Sequence, residues 1–218
     1  MHAMRGFYAI LDAPPSWLDD PEALERRARQ LLAASPCCLQ LRAKGASARG
    51  LATSARRLLP LCRAAAVPFC VNDRMDVALS VGADVVHLGQ DDLPLADALR
   101  LRTAAGRPDL AIGFSTHDRS QALAAAGAGA DYIGFGPVFA TGSKANPDPV
   151  VGLAELAEVC RSVSIPVVAI GGIALAAVGS VARAGASAAA LIAAISTASD
   201  PTAAGLQIRA AFQTSAVR

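Results

Sequence analysis

Short apolar runs alternate with longer Ala/Leu/Arg-rich stretches along most of the chain. The runs predict strands at Gly6–Leu11, Cys38–Ala43, Pro68–Asn72, Val85–Gly89, Ala111–Thr116, Tyr132–Val138, Val167–Ile173 and Ala188–Ala193. Between them, helical periodicity covers Asp20–Ala34, Ser47–Ala65, Leu93–Ala105, Arg119–Gly127 and Gly152–Arg161. Strand starts fall mostly 17 to 35 residues apart, the spacing of a repeated βα unit. Several strands are apolar at every position, as a parallel sheet covered by helices requires. Eight such units with no linker between them predict one α/β domain over residues 1–218, a single (β/α)8 TIM barrel. A doubly wound open sheet is the alternative, and the Ala-rich stretch 186–194 reads equally well as helix.

The pattern also contains a decoy. Ser162 to Ala182 is 21 residues without a charge, long enough to span a bilayer. Pro166 and Gly171-Gly172 interrupt it, so a strand followed by a short helix fits better. The N-terminal apolar run Gly6–Leu11 is too short for a signal-peptide core, and the expectation is a cytoplasmic protein with no membrane contact.

Composition narrows the classes further. Of 218 residues 53% are hydrophobic and 17% charged, which excludes disorder. A net charge of +2 with both signs interspersed gives no nucleic-acid footprint. Five cysteines without CxxC spacing read as thiols rather than a disulfide framework or a zinc site.

In a (β/α)8 barrel, chemistry sits where the strands end. Here the polar residues that break the apolar runs fall at those ends. Gln40, Arg42 and Lys44 alternate along strand two and share its inward face, while Leu39, Leu41 and Ala43 face the helices. Asn72-Asp73-Arg74 ends strand three, and His87-Leu88-Gly89-Gln90-Asp91-Asp92 ends strand four. Strand five ends in Ser115-Thr116-His117, strand six runs into Gly136 to Lys144, and strand seven ends in Gly171-Gly172.

Each fragment alone has a plain structural role. Asp73 or Asp92 can cap a helix, Gly171-Gly172 can be a turn, Gly142-Ser143 a surface loop, and His87 a hydrogen-bonded core histidine. Six polar strand ends out of eight make a stronger statement. Arg outnumbers Lys 18 to 2, and both lysines, Lys44 and Lys144, lie in these segments. Lys supplies a mobile point charge for phosphate, and Arg42 a fixed fork. Asp73 and Asp92, from adjacent strands, can hold a Mg²⁺ completed by phosphate oxygens and water. Gly172 and the helix start beyond it offer backbone N–H groups to a second phosphate.

Together these motifs resemble the thiamine phosphate synthases, with the TenI-type thiazole tautomerases as near relatives. The resemblance runs from Tyr8 to about Ile195. It is carried by Q-L-R-A-K at 40–44, V-N-D-R at 71–74, H-L-G-Q-D-D at 87–92, S-T-H at 115–117, G-P-V-F-A-T-G-S-K at 136–144 and A-I-G-G-I at 169–173.

The resemblance implies a barrel that joins a pyrimidine methyl diphosphate to a thiazole phosphate, releasing diphosphate. It implies pyrimidine diphosphate contacts from Gln40, Arg42, Lys44, Asn72, Ser115 and Lys144, of which Arg42, Ser115 and Lys144 would be catalytic. Asp73 and Asp92 match the Mg²⁺ ligands. Thr141, Gly142, Ser143, Gly172, Ile192 and Ala193 match the thiazole phosphate pocket. In such enzymes the diphosphate leaves first, and the thiazole nitrogen captures the resulting cation. The implied partners are these two small molecules, with an oligomer possible.

Three positions depart from the family pattern. Ala43 stands where an acidic residue is usual, Ala193 where a Ser is usual, and no Asn follows G-G-I within Ala174–Val178. A tautomerase using only the thiazole half, and a non-catalytic phosphate-binding barrel, are the rival readings.

Overall fold

The protein is described by a computed structural model covering residues 4–141 and 148–214. Its strands are β1 (Gly6–Asp12), β2 (Cys38–Arg42), β3 (Phe69–Asn72), β4 (Val85–Leu88), β5 (Ala111–Thr116), β6 (Tyr132–Phe135), β7 (Val167–Ile170) and β8 (Ala188–Leu191). All pair in parallel in chain order, and β8 returns to β1 to close the barrel. The helices are α1 (Pro15–Asp19), α2 (Pro21–Leu32), α3 (Ala48–Ala64), α4 (Met75–Val81), α5 (Leu95–Ala104), α6 (Arg119–Ala128), α7 (Gly152–Ser162), α8 (Val178–Arg183), α9 (Ala193–Ser196) and α10 (Pro201–Thr214). The closed barrel displaces the open-sheet alternative.

Local chemistry starts the helices where the pattern expects them. Asp20, Ser47 and Asp118 accept hydrogen bonds from the backbone N–H of Ala23, Gly50 and Gln121, capping α2, α3 and α6. At the N-terminal rim, Asp131 accepts both the Ile112 N–H at 2.8 Å and Arg102 at 2.7 Å. Asp84 likewise takes the Phe69 N–H at 2.9 Å. Each side chain thus satisfies a strand-start donor that pairing leaves over.

The period of two divides the buried residues into two bodies. Phe7, Ala9, Leu11, Leu39, Leu41, Val71, Val86, Ile112, Ile133 and Phe135 face the helices. Tyr8, Ile10, Cys38, Cys70, Val85, Tyr132, Val168, Ala188 and Ala190 fill the bore. Strands buried on both faces explain the continuous apolar runs of the sequence.

Three expected strand ends move by two residues or more. β6 stops at Phe135 because Pro137 has no N–H to donate and the chain turns with Gly136, although Val138 N–H still reaches the Ile170 carbonyl at 2.9 Å. β7 stops at Ile170 because Gly171 and Gly172 take φ values of 94° and 62°. β8 is strand, as one of its two readings had it, but ends at Leu191, and Ile192 turns the chain into α9.

The uncharged stretch 162–182 resolves into β7, a 3₁₀ turn at Leu175–Ala177 and the start of α8. Among the described residues no helix is long and apolar enough to cross a membrane. The helix α10, which the strand–helix pattern did not anticipate, packs along α2 and β1.

Gly205 in α10 and Gly127 in α6 make a clean contrast. A Cβ at Gly205 would lie 2.6 Å from the Ala34 Cβ and 2.7 Å from the Phe7 ring, whereas Gly127 has nothing within 4 Å. Gly205→Ala is expected to destabilise by about 1–3 kcal/mol through overpacking. Gly127→Ala is expected to stabilise by up to about 1 kcal/mol through helix propensity. Urea denaturation midpoints of the two variants check both signs.

Candidate active site

The C-terminal ends of the strands open into a cavity of about 1170 Å³. Its lining includes Gln40, Arg42, Lys44, Asn72, Asp73, Asp92, Ser115, Thr141, Gly172, Ile192 and Ala193, so the structure gathers these expected site residues at one mouth. Gly142, Ser143 and Lys144 lie outside the described residues. Ala43 packs on the helix side of β2, so the usual acidic residue is missing from a position that faces away from the cavity.

The floor is a chain of hydrogen bonds across the bore. The Gln40 Nε2 donates to Asn72 Oδ1 at 2.5 Å, and the Gln40 Oε1 accepts from the Tyr8 hydroxyl at 2.8 Å. Tyr8 and Tyr132 hydroxyls meet at 2.9 Å. Tyr132 meets His87 Nδ1 at 3.0 Å, and His87 Nε2 meets the Ser115 hydroxyl at 2.9 Å. Gln40 is only 3% exposed, yet its amide is paired at both ends, and no buried side-chain N or O among the described residues lacks a partner.

Two glycines make room for this floor. A Cβ at Gly113 would run into the Tyr132 ring, and one at Gly134 would approach His87 Cε1 to 3.1 Å. Burial pushes both tyrosine hydroxyls well above their ordinary pKa of 10.0, so each stays an O–H group.

Above the floor stand the charged groups. Asp73 follows β3 in a left-handed conformation with φ 65°, its N–H on the His87 carbonyl at 2.8 Å. Asp92 accepts the Gly89 N–H at 2.7 Å, which closes the turn after β4 on itself. Burial, then the Asp92 charge and a hydrogen bond between the two carboxyls, push the Asp73 pKa up to about 6, against the opposing pull of Arg42 and Lys44. Arg42 is ion-paired with Asp12, its register partner at the end of β1. Lys44 extends past β2 and is exposed.

Among the described residues, no group of three or more His, Cys, Asp or Glu side chains is placed to hold a metal. Two neighbouring carboxyls such as Asp73 and Asp92 are the kind of oxygen donors that suit a hard cation keeping water and phosphate oxygens as its other ligands.

On the opposite side of the mouth, Gly172 is held against the loop after β6. A Cβ there would come 2.6 Å from the Phe139 carbonyl oxygen, and one at Gly171 would lie 2.5 Å from Pro137 Cα. The His117 Nδ1–H donates to the Gly136 carbonyl at 2.6 Å, with Asp148 Oδ2 at 3.5 Å from the same nitrogen. Because a carbonyl only accepts, the neutral His117 ring is unprotonated at Nε2.

The strand-end pattern does not single out Tyr8, Tyr132 or Asp12, and His87 reads from it as a core histidine. His87 is hydrogen-bonded as expected, but it also lines the cavity. The available signal was the scarcity of tyrosine. The chain has two, Tyr8 and Tyr132, each in an apolar strand where a hydroxyl needs a partner.

The model of the family described as thiamine monophosphate synthase matches residues 7–195. The chain belongs to this family. A thiamine-phosphate synthase of Anaeromyxobacter dehalogenans is 48% identical over 210 residues, covering 96% of this chain and 89% of that protein. A thiamine-phosphate synthase of Methanocella arvoryzae is 48% identical over 183 residues, covering 84% of each.

Among solved structures, thiamine phosphate pyrophosphorylase from Pyrococcus furiosus matches with a TM-score of 0.83 at 33% identity, covering 98% of both chains. The (S)-3-O-geranylgeranylglyceryl phosphate synthase of Thermoplasma acidophilum matches with a TM-score of 0.70 at 15% identity, covering 96% of this chain and 94% of that one. That second likeness speaks for the barrel alone, whereas the family match spans every strand.

The raised Asp73 pKa sets a pH dependence. Because the folded value of about 6 exceeds the ordinary 3.8, the folded state binds this proton more tightly than the unfolded one. The resulting stabilisation is present below pH 3.8 and is lost as pH rises through about 6. Asp73→Asn is therefore expected to stabilise the metal-free protein more at neutral pH than at acid pH. The gap is on the order of 1–2 kcal/mol after allowing for water at this half-buried group. Urea denaturation of both proteins with a chelator present, on either side of that pH, measures the difference.

Proposed function

We propose that the protein is a thiamine phosphate synthase, joining a pyrimidine methyl diphosphate to a thiazole phosphate and releasing diphosphate. The observation that carries this reading is the family match over residues 7–195, together with one cavity holding a carboxylate pair beside Arg42 and Lys44. The substrates are two small molecules, the reaction is an alkyl-group transfer, and the enzyme works in the cytoplasm as a single domain.

Asp73 and Asp92 would hold a Mg²⁺, which when bound neutralises charge on the departing diphosphate. The carboxyl pair fits that task because burial and the neighbouring Asp92 charge already raise the proton affinity of Asp73, and Arg42 is engaged with Asp12. Arg42 and Lys44, with Lys144, which lies between β6 and α7 in the sequence, bind the diphosphate and stabilise the negative charge that grows on it as the carbon–oxygen bond breaks. The bond to diphosphate breaks heterolytically, leaving a pyrimidine-stabilised cation that the thiazole nitrogen captures. No protein nucleophile is needed. Gln40, Asn72 and Ser115 hold the pyrimidine end at the floor. Thr141, Gly142, Ser143, Gly172 and the Ile192-Ala193 backbone form the thiazole phosphate pocket. The close packing of Gly172 against residues 139–140 keeps this pocket adjacent to the β6 loop.

Pure protein mixed with both substrates and Mg²⁺ is expected to yield thiamine phosphate, and failure to form it overturns the reading. Asp73→Asn and Asp92→Asn should each lower turnover by at least about 100-fold, about 2.7 kcal/mol of barrier. His117→Ala should lower it by less than roughly tenfold, about 1.4 kcal/mol, because diphosphate departure requires no protein proton shuttle. Steady-state rates of the three variants side by side check the pattern. Collapse at His117 with tolerance at Asp73 would favour a thiazole tautomerase.

A further inference from the structure

The floor of the cavity has a direction, and that direction follows from counting hydrogens. The Gln40 Oε1 can only accept, so the single Tyr8 hydroxyl proton is committed to it. The Tyr8 oxygen must then accept from Tyr132, whose own proton is thereby committed. The Tyr132 oxygen accepts in turn, so the His87 Nδ1 carries hydrogen. In the neutral ring Nε2 is an acceptor, and the Ser115 hydroxyl donates to it. At the other end, the Asn72 Oδ1 is taken by Gln40, which turns the Asn72 amide N–H groups outward as donors.

We propose that Tyr8, Tyr132 and His87 are positioning residues that hold Ser115 as a hydrogen-bond acceptor toward the cavity, so that it reads an N–H donor on the substrate. This rests on the synthase reading, in which the occupant is a pyrimidine carrying an exocyclic amino group. An amino N–H beside an unprotonated ring nitrogen is the edge that a serine acceptor and an asparagine donor complement. The cut-outs at Gly113 and Gly134 bear independently on this assignment, since the bore gives up two side chains to seat Tyr132 and His87.

The test reads the tautomer first. With ¹⁵N-labelled histidine at mildly alkaline pH, His87 is distinguished from His2 and His117 by His2→Ala and His117→Ala variants. The expected result is Nδ1–H at His87 in the unliganded protein. Tyr132→Phe removes the acceptor for that hydrogen, and the ring should switch to Nε2–H. Tyr8→Phe is the sharper variant, because its hydroxyl does not touch His87. Losing it frees the Tyr132 proton to turn toward Nδ1, so the tautomer ratio should still move roughly tenfold toward Nε2–H. Nε2–H in the wild type, or no change at His87 in Tyr8→Phe, overturns the proposal.

The second arm measures binding by calorimetry, with Mg²⁺, of the aminopyrimidine methyl diphosphate and of its analogue with hydrogen in place of the amino group. The wild type should prefer the amino compound by roughly tenfold, the worth of one neutral hydrogen bond. Tyr8→Phe, Tyr132→Phe and Ser115→Ala should each reduce that preference to near unity. Equal binding of the two compounds by the wild type overturns the proposed acceptor role. A wild type with Nδ1–H at His87 that binds neither compound supports the relay and overturns the substrate reading on which its use depends.

Discussion

Closure of the parallel barrel is the constraint from which the other features follow. Once β8 pairs with β1, every strand is buried on both faces, and the bore must be filled by side chains without leaving a polar group unpaired. The N-terminal part of the bore meets this demand with Cys38, Cys70, Val85, Val168 and alanines. The part below the mouth meets it with a polar relay in which each group's partner is the next group. Such a network is stable when every member is satisfied and costly when one is removed. The polar floor of the cavity is therefore also a structural layer, its hydrogen bonds made within the protein itself.

The rim above obeys a different logic. There the protein places two carboxyls side by side and leaves them short of compensation, with the nearby Arg42 tied to Asp12. A site of this kind is less stable empty than it could be. Part of the stabilisation it lacks would be supplied by a cation and a polyphosphate together, each balancing charges the other leaves over. That reading accounts for cations and anions sharing one mouth while the chain as a whole carries a net charge of only +2.

The barrel was legible in the sequence because its strands are apolar on both faces and interrupted by polar residues only at one end. The alternation in Gln40-Leu41-Arg42-Ala43-Lys44 correctly assigned Ala43 to the helix side. Where strands ended was less legible. Ile173 and Ile192-Ala193 continue an apolar run, and only backbone geometry, the positive φ of Gly171 and Gly172 and the turn at Ile192, takes them out of the sheet. The relay was hidden for a related reason. Tyr8 and Tyr132 are 124 positions apart and read individually as bulky core residues, and their hydroxyl contact exists only because closure brings β1 and β6 across the bore.

Floor and rim meet at His87. Its ring belongs to the relay, while its backbone carbonyl receives the N–H of Asp73. That hydrogen bond accompanies a left-handed backbone at Asp73, a conformation most residues adopt only at a cost of about 1–2 kcal/mol and which Asp and Asn tolerate best. An Asn at this position keeps the backbone and removes only the charge, whereas an Ala would also pay for the turn. The placement explains how four residues of β4 can serve both halves of the site. Of the two inward positions of β4, Val85 fills the bore, while His87 offers its side chain to the floor and its backbone oxygen to the rim. Through that oxygen the carboxylate that would meet the metal is anchored to the same residue whose ring links Tyr132 to Ser115 in the floor.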